Sequence, residues 1–206
     1  MQSDMKALPK ESDATERGRS SVEEKLITAA CTLLAKSGPN AVSNRDIAKL
    51  AGVNHGQIHH YFGSKHGLLK AAMSRVSQMH WDYTQENGYI PLKGLEQGHL
   101  YALAVVRCAI DGELELATQH VTDNISVPRL VLKNRIKSQD PSLTQLDAQC
   151  AMAVPVAIEM GWAVLEPYIF NALDIKEEDV AKVREHVAAT LTAILGGTNF
   201  ADDTSP

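Results

Sequence analysis

Cysteine is scarce in this chain: Cys31, Cys108 and Cys150 stand far apart in 206 residues, with no CxxC pair among them. An odd, scattered set argues against a disulfide framework and against a thiolate zinc site, and suits three small buried hydrophobes. Long apolar runs are also missing. The densest, "AMAVPVAI", is far too short to cross a bilayer, and the opening "MQSDMKALPKESDATERGRS" holds no stretch like the core of a signal peptide. No membrane partner and a cytoplasmic location are the expectation. Nothing repeats at a fixed period, no low-complexity segment stands out, and strand-like alternation is essentially absent. Positive charge is lacking too, since the net charge is −5, which at first sight argues against a polyanionic partner.

What is present qualifies that last point. With 44% hydrophobic and 22% charged residues, the composition is that of an ordinary soluble protein, long enough for one large domain or a small one joined to a larger. The charge is uneven along it. Residues 1–80 carry 11 Lys/Arg against 7 Asp/Glu and five of the eight histidines, whereas residues 81–206 carry 9 against 18. A basic, His-rich front on an acidic body is what a module needs to meet a polyanion through one end, although chance unevenness of solvated charge produces the same count.

The spacing predicts an all-α protein. Residues 1–20 read as a disordered arm and 197–206 as a disordered tail. "SSVEEKLITAACTLLAKSG" places Val22, Leu26, Ala29, Ala30, Leu33 and Leu34 on one helical face and stops at Gly38-Pro39. "SNRD" then reads as a capping box, with Ser43 as cap and Asp46 three residues on, and Asn54 with Gln57 repeats the pattern. Ser64 caps a long fourth helix, on which Leu68, Ala72, Val76, Met79 and Tyr83 form one stripe and Trp81 lies off it. Two short helices joined at Gly52-Val53 make a helix-turn-helix: Ala48 lets the helices approach, Gly52 takes the positive φ of a tight turn, and Ile58 fills the angle between them. A helical hairpin in some other all-α protein fits the same residues.

Taken with its flanks, "NRDIAKLAGVNHGQIHHYFGSKHGLL", residues 44–69, resembles the signature of the tetracycline-repressor (TetR) family of bacterial transcription regulators. The resemblance covers about residues 20–70, and the rest of the chain matches only in length and helical character. It implies a DNA-binding domain over 21–66, a ligand-binding and dimerisation domain over 67–196, double-stranded operator DNA and a small-molecule effector as partners, and a homodimer. Position by position, it implies that Ser43 and Arg45 meet phosphates, that His55, Gln57 and His60 face base edges, and that Tyr61 and Lys65 hold backbone phosphates. The departure is His59, a DNA-contact position where the family very often carries tyrosine: the phenol reaches a phosphate with one donor, whereas the imidazole is shorter and its charge varies with pH. Physics is consistent with these roles, since helix N-termini and Lys65 attract anions and a glutamine can pair bidentately with adenine.

Four histidines, His55, His59, His60 and His66, crowd this segment. His55 and His59 are four apart and share a helical face, but a zinc site needs three or four ligands and no nearby Cys or carboxylate supplies them. No Ser, Cys or carboxylate stands at a catalytic spacing either. The expectation is therefore DNA contact, with no metal, no cofactor and no enzymatic activity; the alternative is an all-α small-molecule-binding protein or enzyme whose helix-turn-helix no longer binds DNA.

Further helices are expected over 92–109, 127–138, 142–173 and 177–195. The third is apolar nearly all round, which suggests one face on its own domain and another on a second subunit, with the last helix completing an intersubunit four-helix bundle. Val180, Val183, Val187, Leu191 and Ile194 would form its seam. Pro155 should kink the long helix, and Glu159, among apolar neighbours, must be paired, near solvent or in a ligand cavity. His99, Tyr101, Arg107, Glu159, Trp162 and Tyr168 are the candidate pocket lining.

Overall fold

Side-chain caps and glycines punctuate the chain into helices. The computed structural model describes residues 11–89, 92, 99–138 and 144–194. They form α1 (Glu11–Ser37), α2 (Asn44–Ala51), α3 (Gly56–Phe62), α4 (Lys65–Asn87), α5 (His99–Ile110), α6 (Leu114–Ala117), α7 (Gln119–Thr122), α8 (Val127–Ser138), α9 (Gln145–Ala172) and α10 (Val180–Ile194), the last preceded by a 3-10 turn at Glu177–Asp179. Among the described residues there is no strand.

Several helix boundaries differ from expectation. α1 begins at Glu11 rather than after an arm of twenty residues, because the stretch after Pro9 holds the helix formers Glu11, Ala14, Glu16 and Arg17 and no further proline. Residues 1–10 and the tail 197–206 lie outside the described residues, as do 93–98 of the helix expected over 92–109. α8 occupies the expected span. α9 starts at Gln145, where Thr144 and Asp147 form a second capping box.

The core starts in the head. Leu26, Ala30 and Leu34 of α1 meet Ile47 and Ala48 of α2, Ile58 of α3, and Leu68, Leu69, Ala72 and Met73 of α4, all buried. The same cluster continues without a gap into Tyr101, Ala104 and Cys108 of α5 and Leu116 of α6. Met79, expected on the buried stripe of α4, is 52% exposed, because the inward face turns through Ser77, His80 and Thr84 instead. Trp81 packs on a separate cluster of Val127, Val131 and Met152.

The body corrects one expectation about α10. Leu191 is 1% exposed and packs with Leu92 and Ala102 inside its own chain, so it belongs to the internal core and not to an open seam. The open apolar face is on α9, where Leu146, Val154, Leu165 and Tyr168 are exposed. By length and composition α9 as a whole would pass for a membrane span, with a mean hydropathy of 1.5 over its most apolar stretch, a property the short run "AMAVPVAI" conceals. Its Glu166 is held by both arms of the Arg184 guanidinium at 2.7 Å.

Candidate nucleic acid interface

α2 starts where Ser43, in an extended conformation, folds back on Asp46. The Asp46 N–H donates to Ser43 Oγ at 3.2 Å, and the Ser43 N–H donates to the Asp46 carboxylate at 3.1 Å. The Ser43 hydroxyl also donates to that carboxylate, and these bonds hold the Asp46 carboxyl below the usual range. The box leaves the N–H groups of Asn44 and Arg45 without a partner among the described residues, at the positive end of the helix dipole. An anion could bind there, and Arg45 is exposed beside it.

α2 ends at Gly52 with φ 66° and ψ 34°, a left-handed conformation costly for most other residues. Its N–H and that of Val53 close back onto Lys49 and Ala48 carbonyls. The turn swings α3 across α2, with Ala48 and Ile58 buried where they cross. Asn54 does not form the expected box with Gln57: its side-chain oxygen accepts from the Gly56 N–H at 2.9 Å, and His55 occupies the cap position in a helical conformation without a side-chain bond. The two-residue reach of Asn54 is a local turn that competes with the three-residue reach of a cap.

With Ile58 inward, α3 turns His55, Gly56, His59 and His60 outward, and Gln57 and Tyr61 are half-buried. His59 does not simply project. Its Nδ1 lies 2.8 Å from the Gly63 carbonyl oxygen, so the imidazole closes the C-terminal turn of α3. The His60 and Tyr61 rings meet edge to face at 4.8 Å. Among the described residues no three His, Cys, Asp or Glu side chains gather as a metal site would need.

α4 begins at a second anion-competent N-terminus. Ser64 Oγ accepts from the Gly67 N–H at 3.0 Å, and Lys65 Nζ donates to the carbonyls of Pro39 and Val42, each at 3.0 Å. Lys65 therefore ties α4 to the loop between α1 and α2, and an ammonium's third donor remains for an outside acceptor. Two residues that sequence reading passed over also matter. A Cβ on Gly67 would lie 2.3 Å from the Phe62 carbonyl oxygen, so only glycine lets α4 approach the end of α3 this closely. The other is Arg75, whose guanidinium grips Glu24 of α1 with bonds of 2.9 and 2.6 Å. Glycine three residues after a helix cap was the available signal for the first; the second pairs residues 51 apart and has no local signal.

The expected pocket residues do not converge. Tyr101 and Glu159 line a small cavity in the body with room for about one water molecule, together with His80, Tyr89, Met152 and Met160. Arg107 is exposed and sits beside Gly38; Trp162 donates to Glu166 and meets Phe170; Tyr168 is 69% exposed. His99 opens α5, and its side chain lies outside the described residues. Periodicity had shown an apolar helix but not which of its faces looked inward.

Two short helices crossed through a left-handed glycine, with a polar His-rich face outward and two capped N-termini beside it, define a helix-turn-helix DNA-binding protein. Residues 26–72, the head with its two short crossed helices, match the family described as bacterial regulatory proteins, tetR family. Over 180 residues it is 27% identical to the HTH-type transcriptional repressor Rv3405c of Mycobacterium tuberculosis, covering 86% of this chain and 91% of that one. It is 45% identical to the HTH-type transcriptional regulator BetI of Vibrio atlanticus over 51 residues, covering 25% and 26% of the two chains. A TetR-family transcriptional regulator from Rhodococcus sp. has the same fold, with a TM-score of 0.58 at 19% identity, over 85% of this chain and 99% of that one.

Proposed function

We propose that this protein is a homodimeric repressor that binds a roughly palindromic operator in the cytoplasm and is released from it by a small-molecule effector. Residues 21–66 read DNA, and residues 67–196 bind ligand and dimerise. The observation that carries the reading is the outward face of α3 flanked by the N-termini of α2 and α4. On this reading Gln57, His55 and His60 meet base edges, while Ser43, Arg45, Tyr61 and Lys65 with the two N-termini fix the helix on phosphates. His59, bonded to Gly63, shapes the end of α3 and offers only its outer nitrogen to DNA.

The dimer reading is supported by α9. Leu146, Val154, Leu165 and Tyr168 expose an apolar face between 49% and 69%, more than a lone soluble chain usually leaves in one stripe. Gly161 lies on the same face, and a Cβ there would meet nothing within 4 Å inside the chain. A mid-helix glycine costs about 1 kcal/mol relative to alanine, and close approach of a second helix is a reason to keep it. A two-fold axis would set the recognition helices about one DNA turn, ~34 Å, apart. Sequencing the genomic fragments retained by the purified protein tests the whole: enrichment of a two-fold motif is expected. No enriched motif would refute the regulator reading and leave a small-molecule-binding protein whose helix-turn-helix is idle.

A further inference from the structure

We infer that the cavity bounded by α4, α5, α8 and α9 selects a hydrophobic organic monocation, with Glu159 as its counter-charge. The inference rests on the effector reading above and narrows it to a chemical class. Glu159 is 6% exposed on α9, in a helix whose inward neighbours are alkyl. The Tyr89 hydroxyl donates to one of its oxygens at 2.7 Å and the Leu92 N–H to the other at 3.1 Å. Two donors on two oxygens suit the ionised acceptor form. Burial opposes that charge and pushes the Glu159 carboxyl above the usual glutamate range.

A buried carboxylate ordinarily has a cationic partner. This chain supplies such partners elsewhere, with Arg75 on Glu24 and Arg184 on Glu166. Glu159 has no Lys or Arg within ion-pair range among the described residues. Its surroundings are those a soft cation favours. Tyr89 and Tyr101 contribute aromatic rings, and Met152 and Met160 polarizable thioethers. Among the described residues lining the cavity, His80 is the one able to carry positive charge, and its ring is stacked on Tyr101 at 4.6 Å. A cation gains from the carboxylate and the aromatic and thioether lining together; a neutral ligand of the same shape gains only from burial, and an anion is repelled.

The cavity must widen to admit such a ligand, and α9 has a place to give. Pro155, one turn before Glu159, cannot donate to the carbonyl of residue 151, so the helix is weakened at the cavity wall. Movement there would be felt by α4, which brings His80 into the cavity and carries Ser64 and Lys65 at its other end.

The test is calorimetric titration of the full-length protein with benzyltrimethylammonium, its neutral isostere neopentylbenzene, and phenylacetate. The cation should bind about tenfold or more tightly than the isostere, with phenylacetate weakest. Glu159→Gln keeps an oxygen for the Tyr89 hydroxyl and should bring cation and isostere within about threefold of each other. Should that variant fail to fold, the comparison of three ligands on the unaltered protein decides alone. Equal or tighter binding of neopentylbenzene, or binding of none of the three, overturns the inference. Release of the operator is measured separately with saturating benzyltrimethylammonium: binding without release removes the effector reading and leaves the selectivity standing, while release without charge preference does the reverse.

Discussion

Replacing Gly67 by alanine sets two known effects against each other within one turn of helix. Alanine is the better helix former by about 0.8–1.0 kcal/mol, so an unobstructed site would gain stability. The added Cβ, however, would lie 2.3 Å from the Phe62 carbonyl oxygen, 3.4 Å from that carbonyl carbon and 3.5 Å from Ser64 Oγ. Ordinary contact begins about 1 Å further out than the first of these. The obstacle is backbone at the end of α3 and cannot rotate away, so α3 and α4 must separate or α4 must lose its first turn. Strain of this kind costs about 1–3 kcal/mol, which outweighs the propensity gain for most of its range and leaves a net loss of up to about 2 kcal/mol. For a chain of this length that lowers the thermal midpoint by up to roughly 8 °C. Operator affinity should fall further than stability accounts for, because the recognition helix is the element displaced. Melting curves and operator titrations at fixed salt measure both. A Gly67→Ala protein as stable as the parent, with unchanged affinity, would refute the claim that this close approach positions α3.

Gln57→Ala should cost about 1–3 kcal/mol on the operator and little on random DNA, whereas Lys65→Met should weaken both alike, flatten the salt slope by about one unit, and also destabilise the DNA-free protein by about 1–3 kcal/mol because two carbonyls lose their donor; parallel titrations and melts separate the two roles, and equal losses for Gln57→Ala on both DNAs contradict its assignment. Leu165→Glu, on the exposed face of α9, should yield folded monomers in sedimentation, while Leu191→Ala should leave the assembly intact and cost about 2–5 kcal/mol of chain stability; the converse pattern would move the interface to α10. Glu159 gives a pH signature of definite sign: its folded pKa is raised, so its contribution to stability is fully present below the unfolded value and declines as pH rises through the folded one. The stability of the parent relative to Glu159→Gln should therefore fall with rising pH above the ordinary glutamate range, and a relative stability that rises with pH would show the carboxylate to be favoured, not penalised, by its surroundings.

The head was legible because its instructions are local. Ser43 with Asp46, Ser64 with Gly67, and Ala48, Gly52 and Ile58 each act within a few residues, and reading them needs no knowledge of what packs above. Where a local rule had a close competitor, as at Asn54, the shorter-range bond prevailed. The body was legible only as helices. Its helices are apolar on more than one side, so pattern alone could not separate buried Leu191 from exposed Tyr168, or Met79 from the inward turn at His80. The Lys65 and Arg75 ties join residues 23 to 51 positions apart, and only the folded chain brings them together.

The unbroken hydrophobic cluster from Leu26 to Ala117 bears on how such a regulator can be taken apart. The boundary proposed at residue 66 between reading and sensing does not divide the packing: Leu68, Leu69, Ala72 and Met73 lie beyond it and complete the interior of the head. A chimera cut at that point would leave apolar surface bare on both fragments. To transplant the proposed operator specificity onto another helical body, one would keep α1 and α4 whole and carry along, or match in volume, Tyr101, Ala104, Cys108 and Leu116. The exchangeable part is then the outward face of α3, a handful of side chains that can be rewritten without opening the interior beneath Ile58.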